Sequence, residues 1–129
     1  MAIEFKSILL FSLWILLTSC NPKDPLPTTT WSEGSVQLAP DSDGFRLSGL
    51  CCAYAILPKI ELNRKQKFSV KSDYYVFTGA GFSSVPIQID GELSSDGRIL
   101  TISYPRGSSV TTHRLQPGVA TSQSNCGCL

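Results

Sequence analysis

Beyond residue 30 no stretch of ten or more residues sustains a helical apolar period, whereas short runs with a period of two recur as far as residue 115. A period of two places successive side chains on opposite faces of a strand, one buried and one wet. Phe45-Arg46-Leu47, Lys59 to Asn63, Lys67 to Lys71, Val85 to Asp90 and Leu100 to Tyr104 alternate in this way, Ser35 to Leu38 more weakly. Tyr74 to Thr78 and Ser109 to Leu115 are rich in β-branched residues, the first also in aromatics. Turn residues fall between the runs. Asp41-Ser42-Asp43-Gly44 and Ser94-Ser95-Asp96-Gly97 both end in Asp-Gly, which accepts positive φ and marks hairpins. The second predicts that 85–93 pairs antiparallel with 98–104. Asn63 to Gln66 predicts a tight connection between 59–63 and 67–71, and Pro86 predicts a local edge or bulge. Gly79-Ala80-Gly81 and Pro105-Arg106-Gly107 punctuate the later strands. The whole reads as an all-β fold: a small antiparallel barrel or sandwich of about 7–9 short strands, in up-and-down order, preceded by a cleaved signal helix.

The first residues obey different rules. Ile8 to Leu17 is a ten-residue apolar run behind a short start that carries Lys6 and Glu4. A spanning helix needs about 20 apolar residues, so a run this short fits a signal-peptide core. It ends in Leu17-Thr18-Ser19-Cys20. This resembles the lipobox of bacterial lipoproteins: an aliphatic residue, two small residues and a Cys. The resemblance implies cleavage between Ser19 and Cys20, diacylglycerol (with palmitate among its acyl chains) on the Cys20 sulfur, and membrane attachment through that lipid. Each buried methylene contributes about 0.8 kcal/mol, so one acyl chain holds reversibly and two or three hold durably. Asn21 rather than Asp follows the Cys, which by analogy with enteric lipoproteins favours the outer membrane, on its periplasmic face or at the cell surface. Pro22-Lys23-Asp24 weakly resembles the surface-export tags of Bacteroidota lipoproteins.

Removing the first 19 of 129 residues leaves 110, enough for one modest core. The expected division is a signal peptide over 1–19, a lipid-anchored Pro-rich tether over 20–30, a β domain over 31–117 and a Cys-containing tail over 118–129. Pro22, Pro25 and Pro27 favour extended backbone, and ten such residues at about 3.1 Å each reach roughly 30 Å. The net charge of +1 gives no electrostatic pull toward nucleic acid, and none is expected as a partner. The strand rhythm loosely resembles lipocalin-like lipoprotein domains, an analogy of architecture that no diagnostic motif supports.

Four cysteines remain after Cys20: Cys51, Cys52, Cys126 and Cys128. An even number in an exported chain suggests disulfides. A bond between neighbours 51 and 52 would strain the peptide, which leaves cross-links from 51/52 to 126/128. One such bridge closes a loop of about 75 residues, worth roughly 4 kcal/mol. If 51 and 52 lay in a strand they would face opposite sides, so two bridges would need a bulge. The alternative is a thiol-based metal or redox protein, although zinc sites and redox pairs use longer spacers than Cys-Cys or Cys-Gly-Cys. Free thiols are the third possibility.

No catalytic constellation stands out, so the chain is read as not an enzyme, with no cofactor and no metal. His113 is the only histidine and reads as a strand residue, with no nucleophile elbow to support a triad. Asp90 and Glu92 share a strand face opposite Ile87, Ile89 and Leu93, which reads as solvated. Asp41 to Gly44 opens like a calcium loop but lacks the closing ligands. Lys59, Arg64, Lys65, Lys67 and Lys71 alternate with apolar residues and read as a wet face. Gly79 to Gly81 lacks the strand–helix context of a phosphate loop. Candidate ligand-lining residues are Phe68, Tyr74, Val76 and Tyr104, which would face a barrel interior. The expected function is a lipid-anchored envelope module that binds a small apolar ligand, or one that supports assembly with another envelope protein.

Overall fold

The computed structural model describes residues 24–123 and 126–128. The expected signal segment, the expected Ser19–Cys20 cleavage site and Cys20, the expected lipidation site, lie outside the described residues. The described chain forms ten strands: β1 (Asp24–Pro25), β2 (Trp31–Glu33), β3 (Val36–Asp41), β4 (Gly44–Leu50), β5 (Ala53–Leu57), β6 (Glu61–Leu62), β7 (Lys67–Phe77), β8 (Phe82–Leu93), β9 (Leu100–Arg106) and β10 (Ser109–Pro117). Eight of them close an antiparallel barrel in the order β2-β3-β4-β5-β7-β8-β9-β10, with β10 returning to β2. Each barrel strand lies beside its neighbours in the chain, so the barrel is an up-and-down meander. Strand closure leaves the two-residue period to decide which residues are inside.

An eight-stranded barrel is just wide enough to be filled by side chains. Phe45, Leu47, Ala55, Leu57, Ile89, Leu100, Ile102 and Leu115 fill it, all below 5% exposed. Their strand neighbours Arg46, Gln88, Asp90, Arg114 and Gln116 face solvent. Two glycines are needed where backbone or ring comes too close for a Cβ. At Gly49 (φ 76°) a Cβ would stand 1.7 Å from the Ser35 carbonyl oxygen, and the β4–β5 register shifts between Leu47 and Leu50. At Gly91 a Cβ would stand 2.2 Å from carbons of the Phe68 ring, its partner across β7 and β8. A strand glycine here makes room for a core aromatic.

The hairpin expected around Asp96-Gly97 is present but shorter than the expected 85–93 with 98–104: Asp90–Leu93 pair with Leu100–Ser103, and residues 85–89 have no ladder partner on β9. Ser94 organises its turn, accepting from Gly97 N and donating its N–H to Ile99 O. At the earlier Asp-Gly the loop is Ser42–Asp43, and Ser42 rather than Gly44 takes the positive φ (52°), because Gly44 already pairs with Asp41 as the first residue of β4. Lys67–Lys71 and Tyr74–Thr78 are joined, as far as Phe77, in the single eleven-residue strand β7.

Two expectations are corrected. Residues 59–63 do not form a hairpin with 67–71. The turn at Asn63 to Gln66 forms, but β7 pairs with β5 and β8, while Glu61 and Leu62 pair with Pro25 and Asp24. Ile60 and Leu62 alternate with polar residues because they cap the core from one end. Correspondingly, within the segment expected as a tether, residues 24–26 are docked on the domain. Leu26 N donates to Ile60 O at 3.0 Å, and Leu26 is 2% exposed. Burying a leucine contributes about 2 kcal/mol, enough to hold β1 on the domain against the prolines' preference for free extended chain.

Candidate functional site

The two ends of the barrel differ. At one end lie the loops 42–43, 58–66 and 94–99, and there Leu26, Ile60 and Leu62 close the core. At the other end lie the loops 51–52, 78–81 and 107–108, and there two of the ladders part. Residues 82–89 of β8 have ladder partners on β7 alone, since the β8–β9 register stops at Asp90 and Ser103. Residues 109–115 of β10 pair with β9 alone, since only Gln116 and Pro117 meet β2. Pro86 therefore sits on a locally edge-like segment, as its missing N–H requires. The inner faces of the β7–β8 and β9–β10 hairpins meet where these ladders stop, with Tyr74 beside Tyr104.

The inner faces of those hairpins carry the polar chemistry. Period two puts Ser72, Tyr74 and Val76 on one hairpin, and Tyr104, Arg106, Thr111 and His113 on the other, continuing the faces of Phe68, Ile102 and Leu115. The Tyr74 and Tyr104 rings lie 5.8 Å apart across the opening, and the Arg106 guanidinium carbon sits 4.1 Å above the Tyr74 ring. Tyr104 Oη and His113 Nε2 are 2.8 Å apart. Burial, with Tyr74 adding and Arg106 opposing, pushes the Tyr104 phenol up to about 12. Burial likewise lowers His113, against the Glu33 carboxylate at the rim. Both partners are thus neutral near pH 7 and present hydrogen-bonding atoms rather than charge. A general base at this position would need a pKa near the working pH; both shifts run away from it. One group below them is unmatched: Ser72 is 5% exposed and its hydroxyl has no hydrogen-bond partner among the described residues.

Of the residues singled out in the sequence, Tyr74, Tyr104 and Val76 come together at the open end. Phe68 points inward as expected but lies against Gly91 in the packed half, away from the opening. His113, read as an ordinary strand residue, is inside and bonded to Tyr104. Asp90 and Glu92 are exposed on the outer face; Asp90 accepts from the Ser69 hydroxyl, and Glu92 stands opposite Lys67. Lys59, Arg64, Lys65, Lys67 and Lys71 are exposed. Arg106 and Ser72 were missed. The Tyr104-Pro105-Arg106 spacing carried the signal for Arg106, obscured because Pro105 and Gly107 suggested a turn there; the strand runs through Pro105 and the turn is Gly107–Ser108.

The cysteines form two pairs, Cys51 with Cys126 and Cys52 with Cys128, with Cα separations of 5.3 and 5.4 Å. The opposite-face objection disappears because 51 and 52 are not in a strand. Leu50 pairs with Ala53, so both cysteines occupy the two-residue turn between β4 and β5, with Cys52 at φ 54°. The tail they hold is laid along β2 and β3. Gly118 N donates to Thr30 O, Ala120 N to Gln37 Oε1 and Thr121 N to Gly34 O, while Ser32 Oγ donates to Val119 O. Polar surface grooves of about 420 and 390 Å³ flank it. Among the described residues no group of three or more His, Cys, Asp or Glu side chains is arranged to hold a metal ion, and no helix is long and apolar enough to cross a membrane. No family model matches the chain, no curated protein matches it, and no solved structure matches it.

Proposed function

We propose that this chain is a lipid-anchored lipoprotein of the bacterial outer membrane whose barrel binds a small, largely apolar molecule at its open end. The anchor reading rests on Leu17-Thr18-Ser19-Cys20. The binding reading rests above all on the Ser72 hydroxyl, buried without a partner beneath Tyr74. An unsatisfied buried hydroxyl costs about 1–3 kcal/mol, a cost that a bound molecule with one polar group would remove. Tyr74, Val76 and Ile87 supply apolar surface beside it, and the half-buried Arg106 supplies N–H donors above the Tyr74 ring.

Native mass spectrometry of the lipidated protein extracted from its own membrane tests this. A retained small molecule, reduced in Ser72→Ala and in Arg106→Ala, supports it. A clean apo mass with a co-purifying envelope protein overturns it in favour of an assembly module. Incorporation of labelled palmitate, lost in Cys20→Ala, tests the anchor separately.

A second reading, a thiol-based metal or redox role, would use Cys51, Cys52, Cys126 and Cys128, which pair at one corner. Counting thiols in denatured, unreduced protein separates them: free thiols or stoichiometric zinc or copper support the second, and none of either leaves the pairs as staples.

A further inference from the structure

We infer that the open end of the barrel faces away from the membrane that carries the lipid, with the closed end held next to the headgroups; this rests on the proposed anchor at Cys20. The first described strand decides it. Asp24 and Pro25 are paired to Leu62 and Glu61 at the closed end, and Leu26 is buried beside Ile60. Only residues 21–23 separate that strand from Cys20. Four Cα-to-Cα steps at 3.3–3.6 Å span at most about 14 Å, however residues 21–23 are arranged.

Against this stands the height of the barrel. The eleven-residue β7 rises about 3.3 Å per residue and, at a tilt near 40°, covers about 25 Å along the axis. If the opening rested on the lipid surface, Asp24 would stand about 25 Å above it, beyond the reach of the chain. A free ten-residue tether would have allowed either end to face the membrane; the docked β1 removes that freedom. Charge does not decide the matter. Lys59, Arg64, Lys65 and Lys67 are exposed at the closed end, but so are Asp41, Asp43, Glu61 and Asp96. The orientation is set by covalent reach. Its consequence is that whatever enters between the β7–β8 and β9–β10 hairpins arrives from the aqueous side and is not drawn from the anchoring leaflet.

The test uses full-length lipidated protein in phospholipid vesicles containing nitroxide-headgroup lipid. A fluorescent non-natural side chain is placed at Lys65, in the closed-end loop, or at Ser108, in the open-end turn; both sites are exposed. Emission at 65 should be largely lost and emission at 108 retained. A ten-residue flexible insert between Cys20 and Asp24 should bring the two closer together. Quenching at 108 equal to or greater than at 65 overturns the inference, as does an insert without effect on a biased pair. Protein that washes off the vesicles overturns the anchor reading itself, a result distinct from loss of orientation.

Discussion

The Tyr104 hydroxyl and His113 Nε2 lie 2.8 Å apart on the inner faces of neighbouring strands, and burial keeps both groups neutral. The pair couples stability to pH at both extremes. His113 is lowered in the folded protein, so an unfolded chain takes up a proton near pH 6.5 that the folded chain refuses. Stability is therefore full above that pH and falls as pH drops through it toward the folded value. Tyr104 is raised to about 12, so stability present below about pH 10 is lost as pH rises toward 12. Urea midpoints should decline as pH drops below about 6.5, and in His113→Gln that decline should be smaller. An unchanged profile would place the imidazole in solvent. Tyr104→Phe should cost about 1 kcal/mol at neutral pH and weaken the alkaline decline.

Each of the two cysteine pairs closes essentially the same loop, with sequence separations of 75 and 76. Once one bridge is made, the other closes only a few more residues, so their contributions are not additive. The Cys51→Ser/Cys126→Ser variant should therefore lose far less than half of what the four-serine variant loses, about 4 kcal/mol in all. Urea unfolding of the three proteins checks this. Equal, additive losses would mean that the two pairs constrain different parts of the chain.

Gly49→Ala drives a Cβ into the Ser35 carbonyl at a positive φ, so the β3–β4 region must shift; it should cost more than about 3 kcal/mol or prevent folding. Gly107 also has a positive φ (63°), but nothing lies within 4 Å of its added Cβ. Gly107→Ala should cost only about 1 kcal/mol. Thermal melts of the pair separate steric exclusion from backbone strain; similar costs would mean that the close approach to Ser35 is absent.

Leu26→Ala should cost about 2–4 kcal/mol, the ordinary range for a buried leucine. Pro27→Ala, at an exposed neighbouring position, should change stability by less than about 0.5 kcal/mol. A silent Leu26→Ala would return residues 24–26 to free tether and remove the geometric basis for the barrel's orientation.

Fold class was legible because a two-residue period needs no knowledge of neighbours. Leu100–Tyr104 alternates buried with half-buried residues, as its period implied, and Asp96-Gly97 marked the turn that joins β8 to β9; of Val85, Ile87 and Ile89 only Ile89 is fully buried, because residues 82–89 lack a β9 partner. The role of Lys59 to Asn63 was not legible: the same alternation serves a barrel strand and an end cap, and only the position of Ile60 and Leu62 over the core distinguishes them. The same holds for Leu26, a single apolar residue among prolines with no local pattern to reveal its burial.

At the site, the sequence by itself determined that Tyr74, Val76 and Tyr104 would be on inward faces, because face is a property of each strand alone. It also determined that four cysteines had to be distributed between two distant segments. Tertiary structure alone decided the rest. Which inward residues lie in the packed half and which at the opening depends on how far each strand is paired by its neighbour, and that brought Arg106 onto Tyr74 and His113 onto Tyr104. The closed end was decided in the same way, by the docking of Leu26 against Ile60, and the inferred orientation follows from it. These are contacts between segments far apart in the chain, and no local period or turn signal encodes them.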